Sequence, residues 1–112
     1  MGAYLVFADE FRLPVGASEF EGVNEEVYQV GYGELGRLEA YCESLGVPRD
    51  SWPNFIDLDG LPDLVSLDDI RTKNAKLRDA LQALSDEAIA KDQNLIDVVR
   101  EVRRGKLLFI TH

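Results

Sequence analysis

Two short apolar runs constrain this chain more than any other feature. Residues 3–8 read Ala-Tyr-Leu-Val-Phe-Ala, and residues 106–111 read Lys-Leu-Leu-Phe-Ile-Thr. Neither alternates with polar residues, and both are shorter than an independent helix. Short continuous runs rich in aromatic and β-branched side chains predict strands covered on both faces. The first and last strands are therefore expected near the centre of a small sheet, with helices over it.

The sequence between the runs supplies the rest. Residues 9–24 carry Pro14, Gly16, Gly22 and several acids, and read as a long loop with room for a short strand. Residues 25–32 predict a second strand with Tyr28, Val30 and Tyr32 on one face. Leu35, Leu38, Cys42 and Leu45 recur at helical spacing and predict a helix over 34–45, stopped by Gly46 and Pro48. Residues 47–65 hold three prolines and read as an irregular connection, with a short strand at 54–58. Ser66-Leu-Asp-Asp69 has the form of a capping box. Ile70, Leu77, Leu81, Leu84 and Ala88 continue one apolar stripe from it to about residue 90. Asn74 lies in the same seam, and an Asn there can set coiled-coil register. The stripe spans only three heptads, so packing on the sheet is the expected use. Asp92 caps a further helix that ends at Gly105. The expected fold is α+β, or a small α/β, in the order β-β-α-α-α-β: a three- to four-stranded sheet packed by about three helices. One globular domain over 1–112 is expected, because a chain of this length buries roughly two-thirds of its unfolded surface.

Charge narrows the function classes. The net charge is −9, divided as −12 over residues 1–70 and +3 over 71–112. Nucleic acid requires a basic face, and anionic lipid does too, so both are excluded as expected partners. No run approaches the ~20 apolar residues of a membrane span. The single cysteine, Cys42, has no internal partner for a disulfide, and the first eight residues lack a basic leading segment; a soluble, cytoplasmic protein is expected.

The chemical motifs fail on context. Gly31-Tyr-Gly33-Glu-Leu-Gly36 matches the dinucleotide spacing at a strand-to-helix junction. The required second parallel strand ending in an acid is missing, since Asp50 sits in Val-Pro-Arg-Asp. The glycines are expected to serve a tight turn with glycine φ angles. Asp57-Leu-Asp59-Gly60-Leu-Pro-Asp63 resembles a calcium loop only in composition, because Leu61 and Pro62 occupy the fifth and sixth positions. Cys42 lies on an apolar stripe and His112 is the last residue, which leaves no nucleophile–base pair. Zinc fails on ligand count. No cofactor and no metal are expected.

Two function classes remain. The first is a small acidic protein-interaction module, an inhibitor or immunity (antitoxin-like) protein that neutralises a basic partner such as a toxin nuclease. Carboxylates with an aromatic anchor can fill a basic cleft. The second is a small-molecule or divalent-metal-dependent enzyme or ligand sensor using loop carboxylates; no spacing favours it. The contact candidates are Glu19, Glu21, Glu25, Glu26, Trp52, Asp57, Asp59 and Asp63. Trp52, the only tryptophan, is either a hot spot for a partner or a plug tying its loop to the core. A monomer or weak homodimer is expected. The two halves can also attract each other and cancel the acidic patch.

Overall fold

Alternation along the strands decides where the core lies. In the computed structural model, which describes residues 2–17, 20–53 and 67–111, the first apolar run is β1 (Gly2–Ala8). It pairs antiparallel on one side with β4 (Glu26–Gly31) and on the other with β5 (Leu107–Thr111), so the order is β4-β1-β5. Ala3, Leu5 and Phe7 point to one face with Tyr28, Val30, Leu108 and Ile110. Three helices cover that face: α1 (Tyr32–Ser44), α2 (Leu67–Gln82) and α4 (Gln93–Arg103). Their apolar stripes supply Leu38, Leu77, Leu95, Val98 and Val102 to the main core. Each such side chain fully removed from water contributes roughly 1.5–3 kcal/mol.

The opposite face is covered over half its length. β2 (Phe11–Arg12) and β3 (Glu21–Gly22) form a separate two-stranded ribbon. Phe11 and Phe20 stack against Phe109 at 5.9 and 5.5 Å between ring centroids, and Ile70 of α2 closes the cluster. The architecture is α+β, with every strand pair antiparallel.

The two expected central strands have different places: β1 is central, and β5 is an edge. The outward edge of β5 is closed by side chain and loop. Asn74 on α2 is buried; its Nδ2 donates to Leu108 O at 3.0 Å and to Ile70 O at 2.8 Å, while its Oδ1 accepts from Leu108 N at 2.8 Å. One amide thus copies what a neighbouring strand would offer. Ile110 N, two residues on, donates to Pro53 O at 2.8 Å. Asn74 sets strand closure, not coiled-coil register.

The long stripe from residue 66 to 90 is two helices. Turn-closing bonds from Ala83 N to Ala80 O and Leu84 N to Leu81 O end α2. Ser85 then caps α3 (Asp86–Ile89), its hydroxyl accepting from Ala88 N at 3.1 Å. Leu84 still packs against the main core across the break, which is why the periodicity runs through it. Ser66 and the expected strand at 54–58 lie outside the described residues.

Helix ends behave as their residues require. Asp92 caps α4 by accepting from Leu95 N at 3.0 Å. Gly46 and Gly105 adopt φ of 94° and 85°, left-handed values that cost a side chain. Around each, the two backbone bonds of a Schellman stop form, from Gly46 to Glu43 and Val47 to Cys42, and from Gly105 to Val102 and Lys106 to Glu101. Gly31, Gly33 and Gly36 are a correction, since none of them has a positive φ; Gly31 is extended at −69°, 154°. The demanding position is Gly2, paired with Gly31, where a Cβ would lie 2.3 Å from Val30 O.

Candidate functional site

The charge asymmetry is partly cancelled inside the molecule. At the C-terminal end of α4, Arg104 Nη1 donates to Glu101 Oε1 at 2.8 Å and to Glu26 Oε1 at 3.3 Å. Glu101 is fully buried, and the Tyr28 hydroxyl donates to its other oxygen at 3.1 Å. Arg100 donates to the Tyr28 oxygen at 3.2 Å and to Asp97 at 2.9 Å. Lys106 reaches Asp9 at 2.9 Å, and Asn24 donates to the same carboxylate at 2.7 Å. The basic end of the chain therefore binds Glu26 and Asp9 of the acidic half, and Tyr28 between them ties α4 to β4.

These contacts set the pH response. Burial acts to raise Glu101, but hydrogen bonding with the Glu26 carboxyl group, the Tyr28 hydroxyl and the Arg104 guanidinium outweighs it and holds the carboxyl below its ordinary value. The Asn24 amide and then the Lys106 ammonium lower Asp9. A carboxyl whose folded pKa is depressed contributes stability above its unfolded pKa, and that contribution is lost as pH falls through the folded value. Urea midpoints of the wild type are thus expected to fall as pH drops from 6 to 3, and Glu101→Gln should flatten that profile. Profiles of equal slope would show that Glu101 does not contribute to the pH dependence.

The remaining acids separate into distinct groups. Glu21 on β3 and Glu25 in the turn before β4 are exposed, and Glu25 Oε1 accepts from Gly22 N at 2.8 Å, which draws the two positions together. Neither has a cation within ion-pair distance among the described residues. Glu26 is turned inward to Arg104. Glu19, Asp57, Asp59 and Asp63 lie outside the described residues, as does His112.

Trp52 is the other reading of its two. It is 1% exposed and belongs to the main core, so it is corrected from contact residue to plug. Its Nε1–H has no hydrogen-bond partner among the described residues. Cys42 is buried too, and burial pushes its thiol up to about 12, so it stays a protonated core residue.

The uncovered half of the outer sheet face carries features that charge alone did not indicate. Val27 and Tyr4 are 53% and 39% exposed, and they adjoin through the pairs Val6↔Val27 and Tyr4↔Gln29. Tyr32, the first residue of α1, is exposed beyond the end of β4. A legible signal existed. With Tyr28 and Val30 facing the core, Val27 is an apolar residue on the wrong side of an alternating strand. Glu25, Val27 and Gln29 share that side, so the acid continues the same row.

Other surfaces offer less. A cleft of about 280 Å³ between α2 and α4 has Arg78 and Arg103 at its rim, but its floor of Leu81, Val99 and Val102 is already buried. Among the described residues no group of three or more His, Cys, Asp or Glu side chains is placed to hold a metal ion, and no helix is long and apolar enough to cross a membrane. No protein family, curated protein or solved structure matches this chain.

Proposed function

We propose that this chain is an acidic protein-interaction module that captures a basic protein partner. The class it fits is an inhibitor or immunity-type protein that neutralises a basic partner such as a toxin nuclease. The observation that carries the reading is the pair Glu21 and Glu25, exposed and without a cation beside them among the described residues, bordering the exposed apolar patch of Val27 and Tyr4. An apolar centre with a charged rim is the composition of a recognition surface. Carboxylates at the rim steer a basic partner and speed its encounter. Internal pairing reduces the acidic surface but leaves these two acids available.

The test begins with isolation of the partner from native cells, followed by association kinetics. A basic protein is expected, with an association rate that falls about tenfold or more between low salt and 0.5 M NaCl, where the screening length shrinks to a few ångströms. The double substitution Glu21→Gln and Glu25→Gln should slow association and leave the melting temperature unchanged. A partner that is not basic, or kinetics indifferent to both salt and these substitutions, overturns the reading.

A further inference from the structure

We propose that the basic partner binds by adding a strand to the free edge of β4, an inference that rests on the capture reading and specifies its geometry. In an antiparallel ladder, alternate residues turn their N–H and C=O groups to opposite sides. Leu108 turns both groups away from β1 to meet Asn74, so Leu107, Phe109 and Thr111 are the residues of β5 that bond to β1. Their partners are Ala8, Val6 and Tyr4, which leaves Ala3, Leu5 and Phe7 to bond Val30, Tyr28 and Glu26 of β4. Asp9 N–H turns to the same side as those of Ala3, Leu5 and Phe7, but meets Val23 O, one residue out of the β1–β4 register, so the ladder ends at Glu26.

Val27 and Gln29 therefore present their backbone groups outward. None of those four groups has a hydrogen-bond partner among the described residues. The contrast with β5 is direct. One edge is closed by a buried amide and a loop carbonyl; among the described residues the other is open, with no proline or lysine within Glu26–Gly31 to guard it. The Val27 and Gln29 side chains are both exposed on the sheet's outer side.

Charge selects the occupant. An antiparallel guest that places one residue opposite Gln29 places its next same-side residues opposite Val27 and then Glu25. The matching pattern is polar-x-apolar-x-basic, with Lys or Arg meeting Glu25. A second copy of β4 does not satisfy it. Two-fold pairings that join the outward residues set Glu25 against Gly31, Gln29 or Val27, never against a base, and both copies carry a net charge of −9. The occupant is an extended basic segment of another protein.

The experiment uses the full chain and two capped peptides with the core Thr-Lys-Val-Lys-Lys, identical except that one is N-methylated at Thr and Val. Those are the two amides that would bond Gln29 and Val27. Backbone amide shifts and slowed hydrogen exchange at Val27 and Gln29 are expected on titration with the unmodified peptide. The methylated peptide should bind about tenfold or more weakly, the loss corresponding to two backbone hydrogen bonds. Gln29→Pro, which removes one donor, should weaken the unmodified peptide about threefold or more. Its fold is retained because the lost N–H is not in the β1–β4 ladder. Equal binding of both peptides overturns strand addition while charge capture stands. Shifts located away from β4 also overturn strand addition. Loss of binding with Glu25→Gln but not with Gln29→Pro separates the two readings in the same way.

Discussion

Asn74→Leu is expected to destabilise the protein by about 2–4 kcal/mol, read as the urea midpoint multiplied by an unchanged slope. Leucine has a similar volume, so the loss is one of hydrogen bonds and not of packing. Three bonds disappear, and the N–H and C=O of Leu108 remain buried against an alkyl group. Stranded buried polar groups account for most of the effect. Asn74→Asp sharpens the test. Its carboxylate can still accept from Leu108 N, but its second oxygen faces the carbonyls of Ile70 and Leu108. The folded state then favours the protonated acid, so its folded pKa is raised above the unfolded one. The Asp variant should therefore lose least relative to wild type near pH 4 and most near pH 7. A loss below about 0.5 kcal/mol for Asn74→Leu would mean that the amide does not hold the β5 edge.

The second large effect is at Trp52. Trp52→Ala should cost about 3–5 kcal/mol, because it opens a cavity in the main core, of which Trp52 is a member. Trp52→Phe is expected to stay within about 1 kcal/mol of wild type, because the lost volume is offset by removal of a desolvated N–H without a partner among the described residues. The tryptophan emission should be blue-shifted in the folded protein and move to longer wavelength on unfolding. A stable Trp52→Ala protein with defective partner binding would return Trp52 to the contact surface.

The sequence was most legible where one residue's chemistry acts on its own backbone. Asp92, Gly46 and Gly105 mark helix boundaries because each satisfies or redirects groups within a few residues. The apolar runs of β1 and β5 likewise show as strands. It was least legible where the decisive partner is remote. The continuous run at 107–111 resembles a central strand, yet its second neighbour is Asn74, 34 residues away from Leu108. The polarity of a single buried asparagine does not announce that it replaces a strand. Charge by halves allowed the two halves to attract each other but did not say which residues meet; the pairs Arg104–Glu26 and Lys106–Asp9 are contacts that no local pattern encodes. Of the eight contact candidates, Glu21 and Glu25 are exposed, Glu26 pairs with Arg104, Trp52 is buried, and Glu19, Asp57, Asp59 and Asp63 lie outside the described residues. The apolar part of the surface, Tyr4 and Val27, follows from alternation once the facing of β4 is known.

The pairing of β1 with β5 also orders events during synthesis. Ala8 must wait for Leu107, 99 residues later, before the sheet has its final strand. At cellular elongation rates of about 5–20 residues per second that delay is on the order of 5–20 seconds. During it β1 can pair with β4, whose residues precede β5 by about 80 positions, but its other side lacks β5. The nascent chain thus carries β1 with one apolar side unpaired while the residues between Ala8 and Leu107 are made, and closure of that side comes only with β5.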